Sequence, residues 1–389
     1  MQLRKVKHPT HYFAHNKVTL LRSGTAYFET LHRLIREAKH SIYLQTYIFD
    51  EDETGMAVAE ALIRAAQRKV DVFVLLDGYA SQQLTTAFIK RLTDSGIRFR
   101  WFEPLLKSKH FYFGRRLHHK VVVIDKYRSL VTGRNISNRY NDMPDQNAWL
   151  DWAVLTEGDV VSVLELICKR RMKVYTRHKK EEKTVLPTAE VKEECRVRVR
   201  VNDWVQNKRQ ISTSYLEMLR HASSHLIIMS PYFLPGNELR KQMARAAKRG
   251  VKIKVILSGV SDVAIVKWAE RYVYQWLLRN RIEIHEYQKN VLHGKMATYD
   301  NLWTTIGSYN VNNLSAYASI ELNLDVANSD FAKTADRELE KIIADDCVQI
   351  TEEDYKKRNG FFRRMIHFLS YESLRLVLFL TTFYFKQRE

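Results

Sequence analysis

The chain has 389 residues, 45% of them hydrophobic, and 63 Lys and Arg against 44 Asp and Glu, a formal charge of +19. That length and apolar share exclude a disordered chain and make a single ordinary domain too small an answer, so two domains are expected. The basic surplus calls for a polyanionic partner, either a nucleic acid or an anionic bilayer, and the 11% of aromatic residues leans toward the bilayer interface.

From the N-terminus, MQLRKVKHPTHYFAH lacks an apolar core segment, so neither a signal peptide nor an N-terminal anchor is expected. Ser41-IYLQTYIF then reads as a strand, ALIRAAQRK as a helix and Val70–Asp77 as a second strand. That βαβ unit is followed by a helical stretch (82–95), a short strand (97–102) and an aromatic and basic stretch, Pro104-LLKSKHFYFGRR. Next come LHHKVVVID (117–125), TGRN (132–135) and AWLDWAV. The densely charged run Lys169–Glu194 reads as an exposed connection, and Arg196-VRVRV, alternating with period two, as the first strand of a second half.

The second half repeats the first. Ser224-HLIIMSPYF and QMARAAKRGVKIKVILSG match the earlier βαβ text, with Val251–Leu257 as the second strand, followed by a helix (264–280) and a strand (282–286). LHGKMATYD (292–300) and GSYN (307–310) close the repeat. The C-terminal LRLVLFLTTFYF (374–385) is strongly apolar but too short to span a bilayer, and Phe361-FRR supplies basic residues ahead of it. The three cysteines, Cys168, Cys195 and Cys347, form no CxxC and read as reduced buried thiols in a cytosol-facing protein. The expected organisation is a first half over 1–170, a linker over 171–195, a second half over 196–350 and a membrane-interfacial tail over 351–389.

Side chains two apart on a strand share a face, so His118 pairs with Lys120 and His293 with Lys295. His119 points the other way, and Gly294 replaces it in the second copy, so it has no part in the common chemistry. Asp125 and Asp300 complete each motif and join the catalytic set. Lying an odd number of residues from their histidines, they face away and read as turn anchors. Histidines paired with lysines repel a divalent cation, and no ligand-spaced carboxylate–histidine cluster is present, so neither metal nor other cofactor is expected.

These residues resemble the phospholipase D superfamily, whose HxKxxxxD signature followed by a GSxN-like element is complete in the second copy. Within it the likeness is to bacterial cardiolipin synthases of the short kind without N-terminal membrane helices, carried also by LLDGYAS, RRLHHK and SIELNLD. In two places the pattern departs. Thr132 and Gly133 give the first copy only an approximate counterpart of the Ser308 hydroxyl, and Asn312 stands where an aspartate is frequent and is assigned no role.

The resemblance implies an α/β fold of two similar halves, each a mixed, mainly parallel sheet flanked by helices and related by a pseudo-two-fold. It also implies a phosphatidyltransferase that takes a phosphatidyl group from phosphatidylglycerol onto histidine and passes it to a second lipid alcohol. The alternative is a phosphodiesterase, phospholipase D or nuclease, of the same superfamily; a non-catalytic binding module is a third reading, opposed by the complete His, Lys and Asn pairs. His118 is then the nucleophile and His293 the acid and base, though sequence symmetry permits the reverse. Lys120 and Lys295 neutralise the phosphate, with Asn135, Ser308 and Asn310 as neutral donors. Each imidazole needs an orienting carboxylate, and Asp151 and Asp325 follow their histidines at similar distances, where the superfamily has an acidic residue. The partner implied is an anionic phospholipid membrane, met peripherally from the cytoplasmic side, and no nucleic acid. The duplication lets one chain complete the site without a partner subunit.

Overall fold

A computed structural model describes residues 11–104, 115–173, 194–261, 263–312, 319–358 and 360–386, excepting the side chains of 358 and 378–386. The first half contains β1 (Asn16–Arg22), α1 (Thr25–Glu37), β2 (Ser41–Thr46), α2 (Glu53–Gln67), β3 (Asp71–Asp77), α3 (Thr86–Asp94) and β4 (Arg98–Phe102). It continues with β5 (Arg116–Leu117), β6 (Lys120–Ile124), β7 (Arg128–Thr132), β8 (Trp152–Gly158) and α4 (Val161–Met172).

The second half runs through β9 (Arg196–Asp203), β10 (Lys208–Arg209), α5 (Gln210–His221), β11 (His225–Met229), α6 (Asn237–Lys248), β12 (Lys252–Val260) and α7 (Ala264–Arg279). Then come β13 (Glu283–Val291), β14 (Met296–Tyr299), β15 (Trp303–Gly307), β16 (Ser319–Ala327) and α8 (Ser329–Asp346). β17 (Cys347–Ile350), α9 (Glu352–Arg358) and α10 (Phe361–Lys386) end it.

The strand order β1-β8-β7-β6-β2-β3-β4 recurs as β9-β16-β15-β14-β11-β12-β13, with β10 and β17 added at the edges and β5 joined to β16. Both sheets are mixed, as the sequence leads one to expect, but among the described strands parallel pairing is limited to the βαβ strands, β2-β3-β4 and β11-β12-β13, and to the short β5 beside β16. The motif strands return through tight hairpins, which force antiparallel pairing on the rest of each sheet.

The valine run of the first motif reads as strand because both its faces are buried. Val121 and Val123 enter a core shared by the two halves, whereas Val122 and Ile124 enter the core under α1 and α2. The shared core also takes Met229, Met296, Ile306 and Leu324, and one side each of α4 and α8. The sheets are therefore pressed together through a common apolar layer, with the remaining helices outside. Helix α3 starts later than the expected residue 82 because Thr85 is its N-cap, the hydroxyl accepting from the Phe88 amide at 3.1 Å. Residues 105–114, the core of the aromatic and basic stretch, and 174–193, most of the expected linker, lie outside the described residues. Cys168 and Cys195 are buried thiols, but Cys347 at the start of β17 is only half-buried.

Asp125 and Asp300 fall at the hairpin turns, where Asp125, Lys126, Asp300 and Asn301 all have positive φ. Asp125 accepts from the Lys39, His40 and Ser41 amides at 2.8, 2.7 and 2.9 Å. Asp300 does the same for Ser223, Ser224 and His225 at 2.7, 2.9 and 2.8 Å. Asp125 and Asp300, expected among the catalytic residues, instead each tie the motif hairpin to the start of the neighbouring strand. Charge-assisted bonds of this kind contribute about 1.5–3 kcal/mol each before non-additivity. Asp300→Ala is expected to lower unfolding stability by about 3 kcal/mol, read as a fall in the urea midpoint; an unchanged midpoint would contradict the anchor role.

Candidate active site

The two motifs approach each other because the halves are stitched at the strand ends that carry them. β5 pairs in parallel with the start of β16, and the His118 amide donates to the Ile320 carbonyl at 3.0 Å. On the other side Leu150 bridges Leu292, and the His293 amide donates to the Leu150 carbonyl at 2.7 Å. Each histidine is thereby held by the half to which it does not belong.

The carboxylates cross in the same way. His118 Nδ1 lies 2.9 Å from both oxygens of Glu321, and His293 Nδ1 lies 2.7 Å from Asp151 Oδ2. An ionised carboxylate only accepts, so both imidazoles carry the proton on Nδ1 and leave Nε2 unprotonated. The imidazole side chains are 17% and 10% exposed while their carboxylates are 0% and 1%, so the rings are reachable and their supports are sealed.

Asp325, expected to orient a histidine, does not. It is buried against Arg198 (2.9 Å), Arg200 (3.3 Å) and the Ser214 hydroxyl (2.6 Å). Asp151 does meet a histidine, but that of the opposite half. The true counterpart of Asp151 is Glu321, each lying at the beginning of the strand that pairs beside TGRN or GSYN. Sixteen residues separate Asn135 from Asp151 but only eleven separate Asn310 from Glu321, so matching by distance from the histidine selected the wrong acid. Aligning Leu150-Asp151 with Ile320-Glu321 was the signal available in the sequence.

The remaining expected residues divide. Lys120 Nζ donates to the His118 carbonyl at 2.6 Å, and Lys295 Nζ bonds the His293 carbonyl and lies 2.9 Å from His293 Nδ1. Ser308 donates to Glu321 at 2.5 Å, so its hydroxyl serves the carboxylate that holds His118. Asn135 accepts from the Ile48 amide (3.1 Å) and donates to the Tyr140 hydroxyl (2.9 Å). Asn310 is buried with its side-chain oxygen unpaired among the described residues. Not foreseen were Tyr140, whose hydroxyl is 3.5 Å from His293 Nε2, and Tyr47, whose ring stands edge-on to His118 at 5.0 Å. His119, as its parity requires, turns into the core against Gln45 at 2.8 Å. Gly133 has no room for a side chain, since a Cβ there would lie 2.7 Å from Asp151 Oδ1.

Burial sets the protonation states. It depresses His118, reinforced by Lys120 and by Lys295 of the other half and opposed by Glu321. His293 is pushed down to about 3 by burial and Lys295, against the pull of Asp151. Lys120 falls to about 7 through burial and Lys295, against Glu321. Asp151 and Glu321, despite burial, stay below the ordinary carboxylate range because Lys295 and His293 act on the first and His118, Lys120 and Ser308 on the second. Buried Arg134, its guanidinium 4.1 Å over the Tyr27 ring, adds a further positive charge behind Asp151. The resting site thus holds two neutral imidazoles beside cationic groups, which suits an incoming phosphate anion.

The chain matches the family model described as "Cardiolipin synthase, PLD-like domain" over residues 31–158 and 215–343. It is 35% identical over 353 residues to cardiolipin synthase B of Salmonella typhi and of Escherichia coli K12, covering 88% of this chain and 84% of each relative. It is 29% identical to cardiolipin synthase A of Pseudomonas syringae over 321 residues, 82% of this chain and 67% of that one. Among solved structures, phosphatidylserine synthase of Haemophilus influenzae shares the fold with a TM-score of 0.70 at 14% identity, over 96% of this chain and 97% of that chain.

Two outcomes follow from the geometry. Glu321→Gln is expected to reduce turnover on the order of 10²–10⁴-fold with the fold intact, whereas Asp325→Asn should keep turnover and lose about 3 kcal/mol of stability as buried arginines lose their counter-charge. The reverse pattern in lipid turnover and urea unfolding would restore Asp325 as the orienting acid. Binding of inorganic phosphate at pH 6.5 should take up protons, because the anion raises the proton affinity of imidazoles that are neutral in the free site. Calorimetry in buffers of different ionisation enthalpy reads this directly, and proton release would contradict it.

Proposed function

We propose, for a chain that belongs to the cardiolipin synthase family of phospholipase D-like proteins, that it moves a phosphatidyl group from phosphatidylglycerol to a second lipid alcohol through a phosphohistidine. The observation that carries this reading is the crossed pair of carboxylate-held imidazoles beside two buried lysines, with one member of each pair from each half.

The phosphodiester enters as an anion, and Lys120, Lys295, Asn135 and Asn310 are the groups that meet its oxygens. Its charge raises the proton affinity of His293, which takes up a proton on Nε2 while Asp151 holds Nδ1. The Nε2 lone pair of His118 attacks phosphorus, the bond from phosphorus to the glycerol oxygen breaks, and His293 protonates the departing alkoxide. Glu321 stabilises the charge that develops on His118. His293, now neutral, removes the proton of an incoming lipid hydroxyl, whose oxygen displaces the histidine and gives cardiolipin.

Membrane contact rests on α10. One side packs on α7 through Phe368 and Tyr371, whose rings lie 5.6 and 4.8 Å from Tyr272, and buries His367 and Ser370. The other side exposes Phe361 (78%), Phe362 (74%), Leu369 (54%) and Leu376 (57%) to solvent. Among the described residues no helix is long and apolar enough to cross a membrane. A packed helix with an apolar outer face and Arg363 and Arg364 at its start suits the headgroup layer of an anionic bilayer, met from one side.

The test is product analysis on phosphatidylglycerol vesicles. Cardiolipin and free glycerol are expected, with His118→Ala and His293→Ala each lowering turnover by at least 10³-fold. Acid quenching of the wild type should trap a phosphatidyl adduct on His118. An adduct on His293 would exchange the two roles; phosphatidic acid as sole product would favour the hydrolase; full activity of both variants would overturn the assignment.

A further inference from the structure

Arg134, in the TGRN stretch, is only 1% exposed, and its Nε and both terminal nitrogens have no hydrogen-bond partner among the described residues. What the guanidinium meets instead is the face of the Tyr27 ring, at 4.1 Å. Tyr27 lies on α1, and burial pushes its phenol up to about 12, so it brings no negative charge near neutral pH. The carboxylates that act on Arg134 are Asp151, the stronger, and Asp142. Asp142 is exposed and committed to the Thr25 and Ala148 amides at 2.9 and 3.0 Å. Asp151 is the inner acid, packed so close to the backbone before Arg134 that a Cβ on Gly133 would lie 2.7 Å from its Oδ1.

A guanidinium without hydrogen bonds in an apolar core weakens the fold. Water satisfies its N–H groups, and a ring face with a carboxylate beyond hydrogen-bond reach replaces only part of that hydration. Methionine or leucine would fill the space under α1 without this penalty. A charge kept against stability, directly behind a residue of the site, points to a role in the chemistry.

The two halves differ at this position. In GSYN it is taken by Tyr309, and the carboxylate that holds His118 is supported by the neutral Ser308 hydroxyl at 2.5 Å. Glu321 therefore keeps its full charge for a positive ring on His118. The cation behind Asp151 offsets part of that carboxylate's charge, so a protonated His293 is held less firmly and releases its proton more readily. Lys120 and Lys295 each act on both histidines and do not tell the rings apart. The Tyr140 hydroxyl, 3.5 Å from His293 Nε2, adds no charge. Arg134 is the group that acts on one carboxylate of the crossed pair and has no equivalent behind the other.

We propose that Arg134 is a positioning residue for the reaction, a buried cation set behind Asp151 that makes His293 the acid of the pair and leaves His118 to attack phosphorus. The proposal rests on the phosphohistidine reading above. Arg134 acts through Asp151 and does not touch the substrate.

The experiment compares Arg134→Met and Arg134→Lys with the wild type in the full-length protein. Nitrogen-15 spectra of the inorganic phosphate complex follow each ring as the pH is changed. In Arg134→Met, His293 is expected to protonate at higher pH than in the wild type and His118 to titrate as before; Arg134→Lys, which keeps the charge, should leave both rings near their wild-type behaviour. The basic limb of the kcat profile for cardiolipin formation, which reports the group that must be protonated in the lipid complex, should follow His293. The ratio of Arg134→Met to wild-type turnover is then expected to rise about threefold or more across that limb and to stay flat for Arg134→Lys. The urea midpoint of Arg134→Met should equal or exceed that of the wild type, which a merely structural arginine would not allow. A lower midpoint or a failure to fold would overturn the proposal, as would an unmoved His293, an equal shift of His118, or an Arg134→Lys variant that behaves like Arg134→Met. If the wild type forms no product from phosphatidylglycerol, the reaction is misassigned, and the titration of His293 still decides whether Arg134 governs that ring.

Discussion

The structure depends on two hydrogen bonds that cross between its halves, from His118 to Glu321 and from His293 to Asp151. Each half supplies one imidazole and the carboxylate that orients the imidazole of the other. Neither half could hold a working histidine alone, because an unoriented ring has the wrong tautomer available and no partner for the charge that develops on it. The shared apolar layer and the β5–β16 pairing exist, in effect, to keep those two bonds short.

The same crossing explains the electrostatics. Two lysines, two histidines and two carboxylates are buried together, and burial of so many charges is tolerable only when they are paired. With the carboxylates ionised and committed to Nδ1, the imidazoles stay neutral, and the two lysines match the two carboxylates, so that Arg134 behind Asp151 leaves the site with a surplus positive charge. The site is arranged for an anion before the anion arrives, which is the condition for electrostatic stabilisation without rearrangement. The two ends are not identical: Glu321 approaches His118 with both oxygens and is itself held by Ser308, whereas Asp151 uses one oxygen and has Arg134 behind it. This asymmetry accords with a division of labour between a nucleophile and an acid.

Much of this was legible in the residues. The repeated βαβ text and the matched His, Lys and Asn offsets gave the two-half fold, and strand parity gave both the shared face of His118 and Lys120 and the outward, anchoring direction of Asp125 and Asp300. What escaped were relations that exist only in three dimensions. The pairing of Asp151 with a histidine 142 residues away follows from how the sheets pack, which no local pattern encodes. Glu321 was passed over for Asp325 because the loop before Asp151 is longer than its counterpart, so equal spacing from the histidines pointed one strand turn too far. Ser308 and Asn135, expected as donors to a phosphate, spend part of their hydrogen-bonding capacity on Glu321, Ile48 and Tyr140, which spacing alone does not show. The apolar C-terminal run did not reveal that its helix would pack on α7 and face outward at once, since its inward residues, His367, Ser370 and Tyr371, are among its more polar.

Nitrogen-15 spectra of the histidine rings test the crossing most directly. Both His118 and His293 are expected to carry their proton on Nδ1 in the free protein. Glu321→Gln should disturb the signals of His118 and leave those of His293, and Asp151→Asn should do the opposite. Perturbation of His118 by Asp151→Asn, or of His293 by Glu321→Gln, with the other ring unmoved, would place each carboxylate on the histidine of its own half and contradict the account.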